Sequence, residues 1–154
     1  MNRNKALADR LQEVLLDGKW IANTNYKAQL TGVNWLQATQ KINELNSIAA
    51  LTYHINYYLS GLISAFENGR LDIHDKFSFN LPPIQSQLQW EHLVTDFLNN
   101  AEQFITLVRD MDDATFDQPF IDEKYGTILR NIEGVIEHCY YHLGQVVLIN
   151  KLIN

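Results

Sequence analysis

Apolar residues return at intervals of three and four in four stretches of the chain, which puts them on one face of a helix with 3.6 residues per turn. In the first stretch, from about Arg3 to Gly18, that face is Leu7, Leu11, Val14 and Leu15. In the second, Ser47 to Asn68, it is Ile48, Leu51, Ile55, Tyr58, Leu62 and Ala65, and Gly69 follows as a left-handed cap. The third runs from Ser86 to about Met111 and faces inward with Trp90, Leu93, Phe97, Ala101, Phe104, Val108 and Met111. Ser86 and Gln89 have the spacing of a capping box at its start. The fourth, Thr127 to Ile153, alternates four and three along Ile128, Ile132, Val135, Cys139, His142, Val146, Ile149 and Ile153. Burial of this last seam is the direct expectation. With no convincing period-two pattern, the chain reads as an all-α four-helix bundle.

The connections are long. Lys19 to Leu45 is rich in Asn and Thr and carries Trp20, Tyr26 and Trp35. A short extra helix is predicted inside it, over Asn34 to Lys41, with Asn34 as its cap. The three aromatic rings either close one end of the core or roof a pocket. After Gly69 the chain runs to about Gln85 through Pro82-Pro83, which forbids helix there, and Asp112 to Gly126 forms a third loop. A minor hairpin around Phe77 to Phe79 and Phe116 to Ile121 fits the pattern. Loops of this length do not force consecutive helices to be antiparallel neighbours, so the order of helices around the bundle stays open.

Composition narrows the class. At 154 residues, 46% hydrophobic and 19% charged, residues 1–154 make one folded domain with a sizeable core. The formal net charge of −6 argues against a nucleic-acid or anionic-membrane partner, either of which would want a concentrated basic surface. The single cysteine, Cys139, cannot make an internal disulfide, and the first residues lack the apolar core of a signal peptide. A cytoplasmic location is expected. No apolar run approaches the ~18 residues of a membrane span.

Candidate chemistry lies in the histidines. His138 and His142 are four apart on the fourth helix, so both rings reach a common point. His142 stands at a seam position where its equivalents are apolar, and a polar ring there needs partners or costs about 1 to 3 kcal/mol. His54 flanks the seam of the second helix. Three imidazoles facing a bundle interior are hard to satisfy with backbone groups, because helices use their own carbonyls. A divalent cation satisfies all three, and three protein ligands with an open fourth position is the pattern of catalytic zinc. The competing account is two hydrogen-bonded core histidines and one unrelated one. His74 and His92 have no helical partner at ligand spacing and read as solvated surface residues. Cys139 faces elsewhere as a small buried apolar residue. Gln145 is placed to hold a ring nitrogen of His142, and Tyr57 or Tyr58 to lie over the site. Gly134, one turn before His138, leaves room for a helix or a ligand. No glutamate takes the general-base position of a zincin, since Glu137 and Glu133 turn away from the shared face.

The segments Leu51-Thr52-Tyr53-His54-Ile55-Asn56-Tyr57-Tyr58 and Glu137-His138-Cys139-Tyr140-Tyr141-His142-Leu143-Gly144-Gln145 resemble the DinB-like superfamily in both motif and helix order. These are small bacterial four-helix bundles described as metal-dependent hydrolases. The resemblance implies a metal triad of His54, His138 and His142, a divalent ion such as zinc or nickel, and a homodimer. It also implies a small-molecule substrate and, in some relatives, a low-molecular-weight thiol such as bacillithiol or mycothiol as cosubstrate. The expected activity is therefore thiol transfer to an electrophile or hydrolysis at the metal. The alternative is a non-catalytic metal-binding or protein-interaction bundle.

Overall fold

Ser47, Ser86 and Thr127 each precede an apolar stripe, and each caps a helix: their side chains accept hydrogen bonds from the backbone N–H of Ala50, Gln89 and Arg130. A cap of this kind contributes about 0.5 to 2 kcal/mol. The computed structural model describes residues 2–154. Its α-helices are α1 (Arg3–Gln12), α2 (Tyr26–Thr31), α3 (Trp35–Thr39), α4 (Ile48–Asn68), α5 (Gln87–Arg109) and α6 (Ile128–Ile153). Gly69 ends α4 with a φ of 70°, a left-handed conformation that a residue with a Cβ adopts only under strain.

The described residues contain no β-strand. The expected hairpin does not form: Asp75–Phe77 and Asp113–Asp117 are 3-10 turns, and a single antiparallel bridge joins Pro119 to Thr127. Loops this short in apolar alternation cannot hold a ladder without a third strand beside them. The first helix reaches Gly18 as expected but changes geometry at Glu13–Asp17, where it widens into a π turn. The Glu13 carboxylate accepts hydrogen bonds there from the Tyr140 hydroxyl at 2.7 Å and the Ile21 N–H at 3.2 Å.

Packing follows the stripes. α5 lies along both α1 and α4, and α6 packs against α4 and α1. Leu11 and Leu15, Leu51 and Ile55, Phe97 and Phe104, and Val146 and Ile149 are all buried in one core. Each such side chain contributes about 1.5 to 3 kcal/mol relative to exposure. The α6 seam is buried from Ile128 to Ile149 except at Val135, which is half-buried.

The Lys19 to Leu45 connection holds two short helices rather than one. The expected one is α3, and Asn34 caps it in a full capping box with Gln37. The other, α2, has too few residues to show a period. It presents Tyr26, which is fully buried against Phe97 with ring centroids 5.2 Å apart, while the Trp90 indole N–H donates to the Val33 carbonyl at 2.8 Å. Tyr26 thus closes the core. Trp35 is half-buried and Trp20 is 88% exposed, so the three aromatics have three different environments. Among the described residues no helix is long and apolar enough to cross a membrane.

The start of α1 is tied to the turn after α5. The Arg3 guanidinium donates to the carboxylates of Asp113 at 2.7 Å and Asp117 at 2.8 Å. These hydrogen bonds hold both carboxyls below the usual aspartate range. A depressed carboxyl pKa adds stability that is present above the unfolded value near 3.8 and is lost as pH falls through the folded value. Arg3→Gln is therefore expected to lower the melting temperature slightly at pH 7 and by nothing measurable near pH 2. Equal loss at both pH values in thermal melts would show that Arg3 acts through packing instead.

Candidate metal centre

Two helices bring three histidines together. α4 presents His54 one position off its apolar seam, where the residue is only 6% exposed, and α6 presents His138 and His142 one turn apart. One ligating nitrogen from each ring can be chosen so that all lie within 4.8 Å of one another. The ring centroids are 4.6 to 4.9 Å apart, and each pair meets edge to face. The structure therefore joins the three residues that the spacing argument singled out. His74 and His92 are exposed and stand apart from the cluster.

Hydrogen bonding fixes which nitrogens face inward. The Nδ1 of His54 lies 3.3 Å from the Ser78 carbonyl, and the Nδ1 of His142 lies 2.6 Å from Oε1 of Gln145. A carbonyl oxygen only accepts, so each Nδ1 carries the proton and each Nε2 keeps its lone pair. The Nε2 atoms of His54 and His138 are 3.1 Å apart. Two nitrogens bound to zinc at ~2.0 to 2.1 Å with tetrahedral angles sit about 3.3 Å apart, so this pair needs almost no adjustment. The donor set fits a first-row divalent ion. Among the described residues no further His, Cys, Asp or Glu completes the cluster.

Electrostatics keeps the rings neutral. Burial, and then the neighbouring His142 and His138, bring His54 down to about 4. Burial likewise lowers His138 and His142 below the ordinary histidine value. At neutral pH all three rings are uncharged, the lone pairs of His54 and His142 face inward, and His138, which donates to His54 at 3.1 Å, would change tautomer to offer its own to an ion. The Cys139 thiol is different. Complete burial pushes it up to about 12, which leaves it an unreactive core group.

The segment after α4 roofs the cluster. It can approach because residue 61 is glycine: a Cβ there would lie 2.3 Å from Cγ2 of Ile73. The Tyr57 hydroxyl accepts from the His74 N–H at 2.9 Å and donates to the His74 carbonyl at 3.1 Å. Tyr58 donates to Oδ1 of Asp75 at 2.6 Å, and its ring stands edge-on to His54 and His138. Phe79 then stacks on His54, with centroids 4.0 Å apart and planes 8° from parallel. One face of that imidazole is thereby closed to water.

Asp75, Ser78 and Phe79 were not found by sequence reasoning. They come from a loop without period, and the only trace is the Phe77, Phe79 alternation that suggested a hairpin. A cleft of about 770 Å³ opens beside the cluster, between α4 and α6 and under this loop and the one before α6. It reaches His138 but neither His54 nor His142. Gly134 lines it.

No protein family, curated protein or solved structure matches this chain. What stands is a helical protein with a three-histidine cluster able to hold a metal ion.

Proposed function

We propose that this chain is a metal-dependent enzyme of the DinB-like type, a four-helix bundle of α1, α4, α5 and α6 that transfers a thiol to a small electrophile. His54, His138 and His142 hold the ion in this reading. The observation that carries it is the convergence of three neutral imidazoles beside an open cleft. A bound divalent ion supplies Lewis acidity, which holds a thiol as thiolate or lowers the pKa of water at neutral pH. The chain supplies the orientation. Ser78 and Gln145 fix the tautomers of His54 and His142, and outer partners of this kind are worth about 10- to 100-fold in metal affinity. Phe79 excludes water from His54, and the cleft at His138 seats the electrophile.

Thiol transfer is favoured over hydrolysis by the carboxylates. Attack by water gains from a general base within hydrogen-bond reach, because metal-bound water with a pKa of ~7 is only partly deprotonated at neutral pH. Glu137 is exposed and paired with Arg130 at 3.1 Å, the Tyr58 hydroxyl holds Asp75 at Oδ1, and neither carboxylate joins the three-histidine cluster. A thiol starts from a pKa of ~8.5, is fully deprotonated on the ion at neutral pH, and gains little from a base. The test begins with metal analysis of the purified protein, where one zinc or nickel per chain is expected. Thiol consumption with several electrophiles should then fall to background on chelation and return on adding the metal. Ester hydrolysis with the same metal dependence and no thiol consumption would replace this reaction with hydrolysis. Metal-free protein that takes up no ion on titration would refute the reading.

A further inference from the structure

The cleft beside His138 has a chemistry of its own. Its α4 wall is apolar, with Ile55, Leu59 and Leu62, and Phe120 and Val135 continue that surface from the opposite side. A volume of about 770 Å³ falls within the range of pockets that take a small organic molecule. The charged side chains that line it are Lys76, Arg130 and Asp75, and Glu137 pairs with Arg130, so charge is locally balanced in a chain whose net charge is −6. An anion is therefore repelled less at the cleft than over the acidic surface as a whole.

Gly134 shows where the space lies. A Cβ built there meets nothing within 4 Å, so no protein neighbour requires the glycine, although glycine in a helix interior costs about 1 kcal/mol relative to alanine. Gly61 is the contrast, because Ile73 fills its space. Gly144 is equally open but lies on the exposed surface, whereas Gly134 is half-buried and faces the cleft. The gap at Gly134 adds width to the middle of the cleft.

Arg130 and His138 mark two ends. Their backbone positions are about 12 Å apart along α6 at 1.5 Å per residue, and the Arg130 side chain reaches along the helix to Glu137. Arg130 holds Glu137 at 3.1 Å, but both side chains are more than 60% exposed, and such a pair is worth only about 0 to 1 kcal/mol. A ligand carboxylate can therefore take the place of Glu137 at little cost.

We infer that the cleft binds an amphipathic monocarboxylate, its apolar body lying over Gly134, its carboxylate on Arg130 and its other end at His138. The inference rests on the proposed metal-dependent reaction only for what happens at the His138 end. Binding itself needs no ion. In this reading Gly134 sets which bodies fit, and Arg130 sets the charge of the remote end.

Decanoate, an apolar chain with one carboxylate, is the probe, titrated calorimetrically into metal-free and zinc-loaded protein with decanol as the uncharged control. Gly134→Leu should weaken decanoate more than 10-fold, and Gly134→Ala by no more than about 3-fold, because the shorter side chain leaves most of the gap open. Arg130→Gln should weaken decanoate about 3-fold, within the range of an exposed ion pair, and leave decanol unchanged. Glu137→Gln should strengthen decanoate a few-fold by freeing Arg130. Circular dichroism and zinc uptake on the same samples report folding and the metal site. The inference is overturned if wild-type protein does not bind decanoate, if Gly134→Leu binds it equally well, or if Arg130→Gln leaves the preference over decanol intact. It is also overturned if decanoate binds only when zinc is present, since the ion and not Arg130 would then hold the carboxylate. Absence of zinc uptake with decanoate binding retained would sink the proposed reaction and leave the cleft assignment standing.

Discussion

Replacing His142 with alanine should lower zinc affinity by more than 100-fold, measured by competition with a chromophoric chelator. The ring supplies one of three donors, and its Nδ1–H is already committed to Gln145, so its Nε2 has the free lone pair. Loss of an outer partner alone costs about 10- to 100-fold, and loss of the donor itself must exceed that. Replacing His54 or His138 should do the same. His74→Ala and His92→Ala should leave the affinity within about 2-fold, because both residues are exposed and outside the cluster. The thermal melt gives an independent readout: saturating zinc raises the stability of the native state by mass action, and that increase should vanish in His142→Ala. Unchanged zinc binding in His142→Ala would show that zinc is held elsewhere and would favour two hydrogen-bonded core histidines and one unrelated one. That was the competing account available from the sequence.

The cluster was legible because helices impose their geometry on sequence. His138 and His142 share a face by spacing alone, and the apolar residues around His142 mark that face as inward. His54 was weaker on its own, being one step off a seam, and only the meeting of α4 with α6 gives it a target. The long helices were readable for the same reason, since each has several turns in which the period can repeat. What escaped has no period. α2 is too short for one, and the π turn at Glu13–Asp17 depends on contacts with Tyr140 and Ile21 that lie far away or beyond the helix. The roof was invisible for a different reason: Asp75, Ser78 and Phe79 reach the site through a close approach at Gly61, and nothing local distinguishes that glycine from one in a turn. The cleft combines both difficulties, because its walls come from two helices and two loops.

Tyr26→Ala should be among the most damaging single changes outside the histidines, with a loss of about 3 to 5 kcal/mol of the ~5 to 15 that a domain of this kind has in total. Its side chain is fully buried and packs on Phe97, so truncation leaves a cavity at the end of the core that α2 closes. Urea unfolding of metal-free protein measures the loss. Tyr26→Phe separates the ring from the hydroxyl. The hydroxyl donates to the Cys139 carbonyl at 2.8 Å, and a carbonyl has two lone pairs, so the acceptor is not stranded when the donor is removed. Only about 0.5 to 1.5 kcal/mol should go with it. The same bond gives Tyr26 a link to the site, because Cys139 follows His138 directly and the contact fixes α6 at the residue beside the ligand. Under conditions where the variant is still folded, Tyr26→Ala should therefore also weaken zinc several-fold. Phe104→Ala is the control: it removes a fully buried ring from α5 at similar cost and has no bond to α6, so its zinc affinity should match that of the wild type. Equal zinc affinities in Tyr26→Ala and Phe104→Ala would mean that α2 stabilises the fold without positioning His138.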